Sequence, residues 1–431
     1  MSHFPPTVAA AVVIANMIGT GVFTSLGFQL MDIQSAPVLI VLWVVGGLSA
    51  LCGALSYAEL GAALPKSGGE YHFLTEIYHP CAGFISGWVS ATVGFAAPTA
   101  LAALTLGSYL AASGLSVNPT WVATVAIVLL TTAHCTSHRR SGGTQTAFTL
   151  LKLILILGFS AAAMLLGSTA HQADFTWTSE SGALLGSGAF AVSLIYVNYA
   201  YSGWNAATYI SGELASPQKS LPWVLGVSTT VVALLYCLLN YVFLSVAPME
   251  AMIGKVEIGV IAADYAFGEA LGTLMGIALA VLLISTISAM ILAGPRVLHR
   301  IGQDYPQFQR LARVNHDNIP VTAIILQSVV ALFFLWTASF EQILVFSGAA
   351  MALNTFFTVL GLFILRWRQP QLPRPFKVTL YPLTPLLFLG ITGWTLVYLT
   401  LQRPSEVLVS LGIVISGAIF YWFNRPNSVN D

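Results

Sequence analysis

Long runs of apolar residues follow one another along this chain, separated by short polar connectors. They fall at 8–31, 36–63, 81–113, 119–137, 145–168, 185–211, 221–247, 271–297, 320–337, 340–367, 379–401 and 404–424. None alternates with the period of two that a membrane barrel needs over its strands of ~10 residues. Continuous apolar runs of ~20 residues cross a bilayer as α-helices, because hydrocarbon offers backbone polar groups no partner outside a helix or a closed barrel. The pattern therefore predicts an all-α transmembrane fold of twelve helices, called spans 1 to 12 in chain order. They form a single polytopic domain over residues 1–424, followed by a short tail at 425–431.

Composition agrees. Apolar residues make up 57% of the 431 and charged residues 7%, against roughly 25% charged in a soluble domain. Such a chain cannot cover itself with polar surface, so its solvent is mostly lipid. Sixteen Lys and Arg balance sixteen Asp and Glu, which excludes a basic nucleic-acid binder, and the hydrophobicity excludes disorder. No basic stretch or small-residue cleavage site marks the start as a signal peptide, so residues 8–31 are expected to be the first span.

The basic residues set the orientation. Alternate connectors hold Lys66; Arg139 and Arg140; Lys219; Arg296, Arg300, Arg310 and Arg313; and Arg366, Arg368, Arg374 and Lys377, with Arg425 in the tail on the same side. The other connectors hold only Lys255 and Arg403, so 13 basic residues face 2. That asymmetry puts both termini in the cytoplasm and supports an even number of spans. The expected location is a plasma membrane, the inner membrane of a bacterium.

Two spans are interrupted. Span 1 reads Asn16-Met17-Ile18-Gly19-Thr20-Gly21-Val22-Phe23, and span 6 reads Tyr199-Ala200-Tyr201-Ser202-Gly203-Trp204-Asn205. Glycines among polar residues at mid-span weaken a helix, and unwound backbone survives in a bilayer only inside protein or along a cavity. The same glycines would also suit close helix packing, and spacing alone leaves both readings open. If the helices break, one half-helix offers free N–H groups and a positive dipole end for a carboxylate, and the other offers carbonyls for an ammonium. The amides around Thr20 and Gly21 would take the carboxylate, and carbonyls near Met17, Ile18, Tyr199 and Ser202 the amine.

Lys152 lies within span 5, with no acid in the same span. It either faces protein and finds carbonyl partners or snorkels to the inner interface. No His, Asp or Glu stands at a clear span centre, since Glu59 and Glu213 come at inner ends. A carboxylate or histidine proton relay is therefore not expected, and neither is enzyme chemistry. Cys52, Cys81, Cys135 and Cys237 are far apart and suggest neither metal nor disulfide. No cofactor or metal is expected.

Further motifs complete the picture. Tyr57-Ala58-Glu59-Leu60-Gly61 and Pro65-Lys66-Ser67-Gly68-Gly69-Glu70-Tyr71 follow span 2. Gly212-Glu213-Leu214 with Pro217 follows span 6, Gly294-Pro295-Arg296-Val297 closes span 8, and Leu372-Pro373-Arg374-Pro375-Phe376 with Tyr381-Pro382 precedes span 11. Together with Gly19-Thr20-Gly21-Val22-Phe23 and Tyr201-Ser202-Gly203-Trp204-Asn205, these resemble the amino acid–polyamine–organocation family, closest to its L-type neutral amino acid branch. The resemblance covers nearly the whole chain. It implies a LeuT-type fold with inverted repeats at 8–168 and 185–367 and two peripheral helices at 379–424. It implies that Met17, Ile18, Gly19, Thr20, Gly21, Ser202, Gly203 and Asn205 surround the substrate, with Tyr199 as an aromatic gate and Phe95 lining the side-chain pocket. It further implies that Lys152 substitutes for a sodium ion between spans 1 and 8, with Ser285, Thr286 and Ser288 as neighbours.

The expected function is secondary transport of amino acids, by exchange of neutral ones without sodium. Proton symport and cationic exchange are the alternatives. Asn205, where an acid would suit cationic substrates, favours neutral ones. The expected partners are the amino acid and the bilayer. The loop Ser113-Gly114-Leu115-Ser116-Val117-Asn118-Pro119 lacks the cysteine by which heavy-chain-paired relatives are linked, so no disulfide-linked heavy chain is expected. A nutrient sensor with this fold is the rival of another class, disfavoured by the short tails.

Overall fold

A computed structural model describes residues 5–136, 141–167, 173–209, 211, 214 and 216–424, with the backbone alone at 141–146. Arg139, Arg140, Gly212, Glu213 and the tail at 425–431 lie outside the described residues. Regular structure within them is helical, and each of the twelve apolar segments coincides with a helix or a pair of helices. Among the described residues, ten helical stretches are long and apolar enough to cross a membrane, the broken span 1 counted as one. The other two segments differ from simple spans. Segment 6 is divided into Gly188–Tyr201 and Ala206–Tyr209, and the ninth is the shorter apolar helix Val321–Thr337.

Local chemistry sets the ends. Proline occupies the first or second helical position of Pro6–Met17, Ala36–Ala63, Pro80–Val89 and Pro217–Val246, where its missing N–H costs no helix hydrogen bond. Ser339 and Gln342 form a capping box that starts Phe340–Arg368. Apolar composition on all sides makes buried helices. The candidate windows of spans 1, 2 and 10 are 61% buried and that of span 3 is 72% buried, whereas those of spans 4 and 12 are 11% and 22% buried. The first group forms the interior and the second the periphery.

The two halves meet in a regular way. Span 2 (Ala36–Ala63) packs along span 7 (Pro217–Val246), span 3 along span 8 (Glu269–Asp304), and span 4 (Pro119–Thr136) along span 9 (Val321–Thr337). Each piece of span 1 lies on a piece of segment 6. Helices Gly69–Ile77 and Ile258–Phe267 lie in connectors between the predicted spans, the second of them short and apolar.

A buried ion cluster ties the inner ends together. Glu59, fully buried on span 2, accepts from Arg366 Nε at 2.8 Å and Nη2 at 2.6 Å, and from the Val378 amide at 2.7 Å. Arg374 Nε lies 3.6 Å away, and the Arg366 guanidinium sits 3.6 Å over the Tyr381 ring. The cluster joins span 2, span 10 and the entry to span 11. Removing one partner of such a pair strands the other charge. Glu59→Ala should therefore lower stability by about 3–5 kcal/mol, read as the thermal midpoint in detergent. Glu59→Ala combined with Arg366→Ala should cost less than the sum of the two single changes.

Candidate functional site

The glycines in the two interrupted segments do both things the sequence left open. Span 1 is helical over Pro6–Met17 and again over Gly21–Asp32, with Ile18, Gly19 and Thr20 outside either helix. Segment 6 stops at Tyr201, turns through Ser202, Gly203, Trp204 and Asn205, and resumes at Ala206–Tyr209. Gly203 has φ +100°, a conformation a side chain disfavours, and a Cβ there would stand 2.9 Å from the Asn16 carbonyl carbon and oxygen. A Cβ at Gly21 would overlap the Ala200 backbone. The breaks thus touch crosswise, the start of Gly21–Asp32 against the end of Gly188–Tyr201. Gly19 has no such neighbour, its nearest being the Met17 carbonyl oxygen at 4.0 Å.

Breaking a helix frees backbone groups that must find partners. The Met17 carbonyl accepts from the Gly19 amide at 2.8 Å and lies 2.5 Å from the Tyr236 hydroxyl, which is also 3.2 Å from the Ala200 carbonyl. The Ile18 carbonyl accepts from Lys152 Nζ at 3.0 Å, and the Tyr199 carbonyl from the Ser202 amide at 3.0 Å. Internal donors thus reach the Met17, Ile18 and Tyr199 carbonyls, and Ile18 lies fully buried and off the cavity that Met17 and Tyr199 line. Phe23 makes the first turn's bond of Gly21–Asp32, to the Thr20 carbonyl at 3.0 Å. The Gly21 and Val22 amides therefore have no place in the helix's own ladder.

Lys152 is 5% exposed, and its Nζ donates to Thr286 Oγ1 at 2.8 Å as well as to Ile18. It faces protein rather than the interface. Of the three expected span-8 neighbours, Thr286 alone hydrogen-bonds it among the described contacts. Ser285 is buried one position away, and Ser288 pairs with His134 of span 4 at 2.8 Å. Two residues beyond Thr286 is more than half a helical turn, which aims Ser288 at another neighbour.

The breaks open onto a cavity of about 890 Å³. Met17, Gly19, Thr20, Gly21, Tyr199, Ser202, Gly203, Asn205 and Phe95 all line it. Phe95 belongs to a π-helical stretch, Ser90–Ala96, that interrupts span 3, a local widening that recurs at functional sites. The cavity continues past Glu70, Lys66, Arg296 and Arg300 toward the basic side of the molecule. On the opposite side Phe28 stacks on Phe340 with centroids 5.5 Å apart, and Tyr196 donates to Glu341 at 2.8 Å.

Sequence reasoning missed two site residues. Tyr236 carried only a weak signal, a phenol inside the apolar run Leu234-Leu235-Tyr236-Cys237. Glu70 sat in a recognised motif but in a connector, away from any span. Burial pushes its carboxyl above the ordinary carboxylate range, and hydrogen bonds from Tyr209, Tyr57 and Asn205 pull it back.

The family described as "Amino acid permease" matches residues 7–423. Large neutral amino acids transporter small subunit 2 of Mus musculus is 28% identical, covering 98% of this chain and 82% of its own. Asc-type amino acid transporter 1 of Mus musculus is 27% identical over 98% of this chain and 82% of that protein. The b(0,+)-type amino acid transporter 1 of Mus musculus is 24% identical over 95% and 85%. The chain belongs to the amino acid permease family and is an integral membrane transporter, not an enzyme.

Tyr236→Phe tests the backbone accounting. It removes one of the two donors to the Met17 carbonyl, a loss of about 0.5–1.5 kcal/mol. The thermal midpoint in detergent should fall while membrane insertion stays normal.

Proposed function

We propose that this amino acid permease exchanges neutral L-amino acids by alternating access, without sodium. The observation that carries the reading is the crossed pair of helix breaks opening onto one cavity. An amino acid brings a carboxylate and an ammonium about one bond apart from a common carbon. The N-terminal end of Gly21–Asp32 offers amides and a positive dipole end to the carboxylate. Backbone beside Ser202, which lines the same cavity, supplies acceptors for the ammonium. Phe95 and Asn205 border the side chain, and Tyr199 closes over it in the occluded state.

One of the named relatives is by name a transporter of large neutral amino acids and the other two are by name amino acid transporters, which supports this reading. Asn205, an uncharged residue at this position of segment 6, suits a neutral side chain. Lys152 holds the span 1 break to span 8 with a fixed cation, the position at which a bound sodium ion would otherwise make the same link. A cavity that runs to the side bearing Lys66, Arg296 and Arg300, cytoplasmic by the positive-inside rule, supports reading this conformation as inward-facing. Both termini then lie in the cytoplasm. The pairing of spans 1 with 6, 2 with 7, 3 with 8 and 4 with 9 supports two inverted repeats whose relative rocking exposes the site to each side in turn. The bacterial inner membrane rests on the sequence reading alone, since the relatives named are animal proteins.

One of those relatives is titled a small subunit. We propose that this chain works without a disulfide-linked partner, because residues 113–119 contain no cysteine, and Cys52, Cys81, Cys135 and Cys237 are free and at least partly buried.

Uptake of labelled alanine and leucine into proteoliposomes tests the whole reading. Internal unlabelled amino acid should stimulate uptake several-fold, with no response to sodium or to a pH gradient. Uptake that follows the pH gradient instead would overturn exchange in favour of proton symport. Lys152→Ala should lower exchange by at least about tenfold at normal expression, because it removes a buried charged donor worth about 1.5–3 kcal/mol from the span 1 break. Wild-type flux in that variant would leave Lys152 without a transport role.

A further inference from the structure

Beneath the break in segment 6 lies a carboxylate that none of the transport steps above uses. Glu70, 3% exposed, is the second residue of Gly69–Ile77 and lines the cavity. Three donors converge on it: Tyr57 Oη at 2.8 Å and Asn205 Nδ2 at 2.7 Å on Oε1, and Tyr209 Oη at 2.6 Å on Oε2. No cation is among its hydrogen-bond partners in the described residues. A buried carboxylate is costly unless hydrogen-bonded, so these neutral donors are what hold it there.

The chemistry of this contact fixes an orientation elsewhere. A carboxylate accepts hydrogen bonds and does not donate them. The Asn205 amide accordingly turns its Nδ2 to Glu70, at 2.7 Å, rather than its Oδ1. Asn205 lines the same cavity as Gly19, Thr20, Gly21 and Ser202. With one N–H committed to Glu70, the carbonyl oxygen is the acceptor that Asn205 keeps for a ligand. Were Glu70 absent, the amide could rotate and offer either group.

We infer that Glu70 is a positioning residue that locks the Asn205 amide with its oxygen toward the cavity, tuning the site to amino acids whose side chains donate a hydrogen bond. Serine, asparagine and glutamine belong to that class, and leucine does not. The inference rests on the amino acid transport reading and deepens it. An acceptor left unpaired by an apolar side chain costs about 1–3 kcal/mol, so donor side chains gain relative affinity at this position.

The test is KM for serine and for leucine exchange in the wild type, Glu70→Ala, Asn205→Ala and the double variant. Glu70→Ala should raise KM for serine about tenfold and leave leucine within about twofold, with little change in kcat for either. The double variant should be no worse for serine than Asn205→Ala alone. Equal rises for both substrates, or additive effects in the double variant, would overturn the inference in favour of a merely structural carboxylate.

If Glu70→Ala fails to fold, the swapped pair Glu70→Gln with Asn205→Asp decides. It conserves total charge, keeps a hydrogen bond between the two positions and leaves an acceptor facing the cavity. Its serine-to-leucine preference should stay within about threefold of wild type, and collapse of that preference would overturn the inference. A wild type that carries neither amino acid defeats the transport reading as a separate result. Thermal unfolding of the same set then judges the contact itself: coupled losses at Glu70 and Asn205 uphold it and additive losses overturn it.

Discussion

A peptide group released from a helix inside a bilayer has no water to turn to, and that constraint governs the centre of this molecule. Span 1 gives up its hydrogen-bond ladder at Ile18, Gly19 and Thr20, and segment 6 does so from Ser202 to Asn205. The structure answers with donors brought from elsewhere: the Tyr236 hydroxyl from span 7, the Lys152 ammonium from span 5 and short-range amides of the breaks themselves. What these donors leave over, chiefly the amides that open Gly21–Asp32, faces a cavity. The binding chemistry is the remainder of the backbone accounting.

Two buried charged side chains flank the breaks, and they do opposite work. Lys152 donates hydrogen bonds to a carbonyl in span 1 and to Thr286 in span 8, so it links those two spans. Glu70 draws donors inward, from span 2 and from both ends of the short inner helix of segment 6. A cation suits exposed carbonyls and an anion suits phenols and amides. The sign of each charge therefore follows from the backbone or side-chain groups that the fold presents to it.

Closure on one side and opening on the other have the same economy of means. Aromatic stacking of Phe28 on Phe340 seals one end with a contact between different halves, and the Tyr196–Glu341–Arg403 hydrogen bonds tie segment 6, span 10 and the connector before span 12 beside it. At the other end the Glu59 cluster holds span 2, span 10 and the entry to span 11 but leaves the passage between spans 1, 3, 6 and 8 open.

The sequence by itself determined the class of the protein. Runs of apolar residues longer than a bilayer core can be read without tertiary information, because burial in lipid acts on every residue of a span independently. Helix boundaries came within a few residues for the same reason, and glycines at 19, 21 and 203 located the breaks because glycine weakens helices wherever it stands. Orientation by basic residues is likewise a sum over positions. Tertiary structure alone decided which donors reach the freed carbonyls. Met17, Ile18 and Tyr199 looked available from their place in the chain, but Tyr236 lies more than two hundred residues from Met17 and Lys152 more than a hundred from Ile18. It also decided that Thr286 and not Ser288 meets Lys152, since helix rotation relative to a neighbour has no local signature. Glu70 was legible as a motif residue and illegible as a site residue, because its partners Tyr57, Asn205 and Tyr209 converge on it only when span 2, a connector helix and the broken segment 6 are packed together.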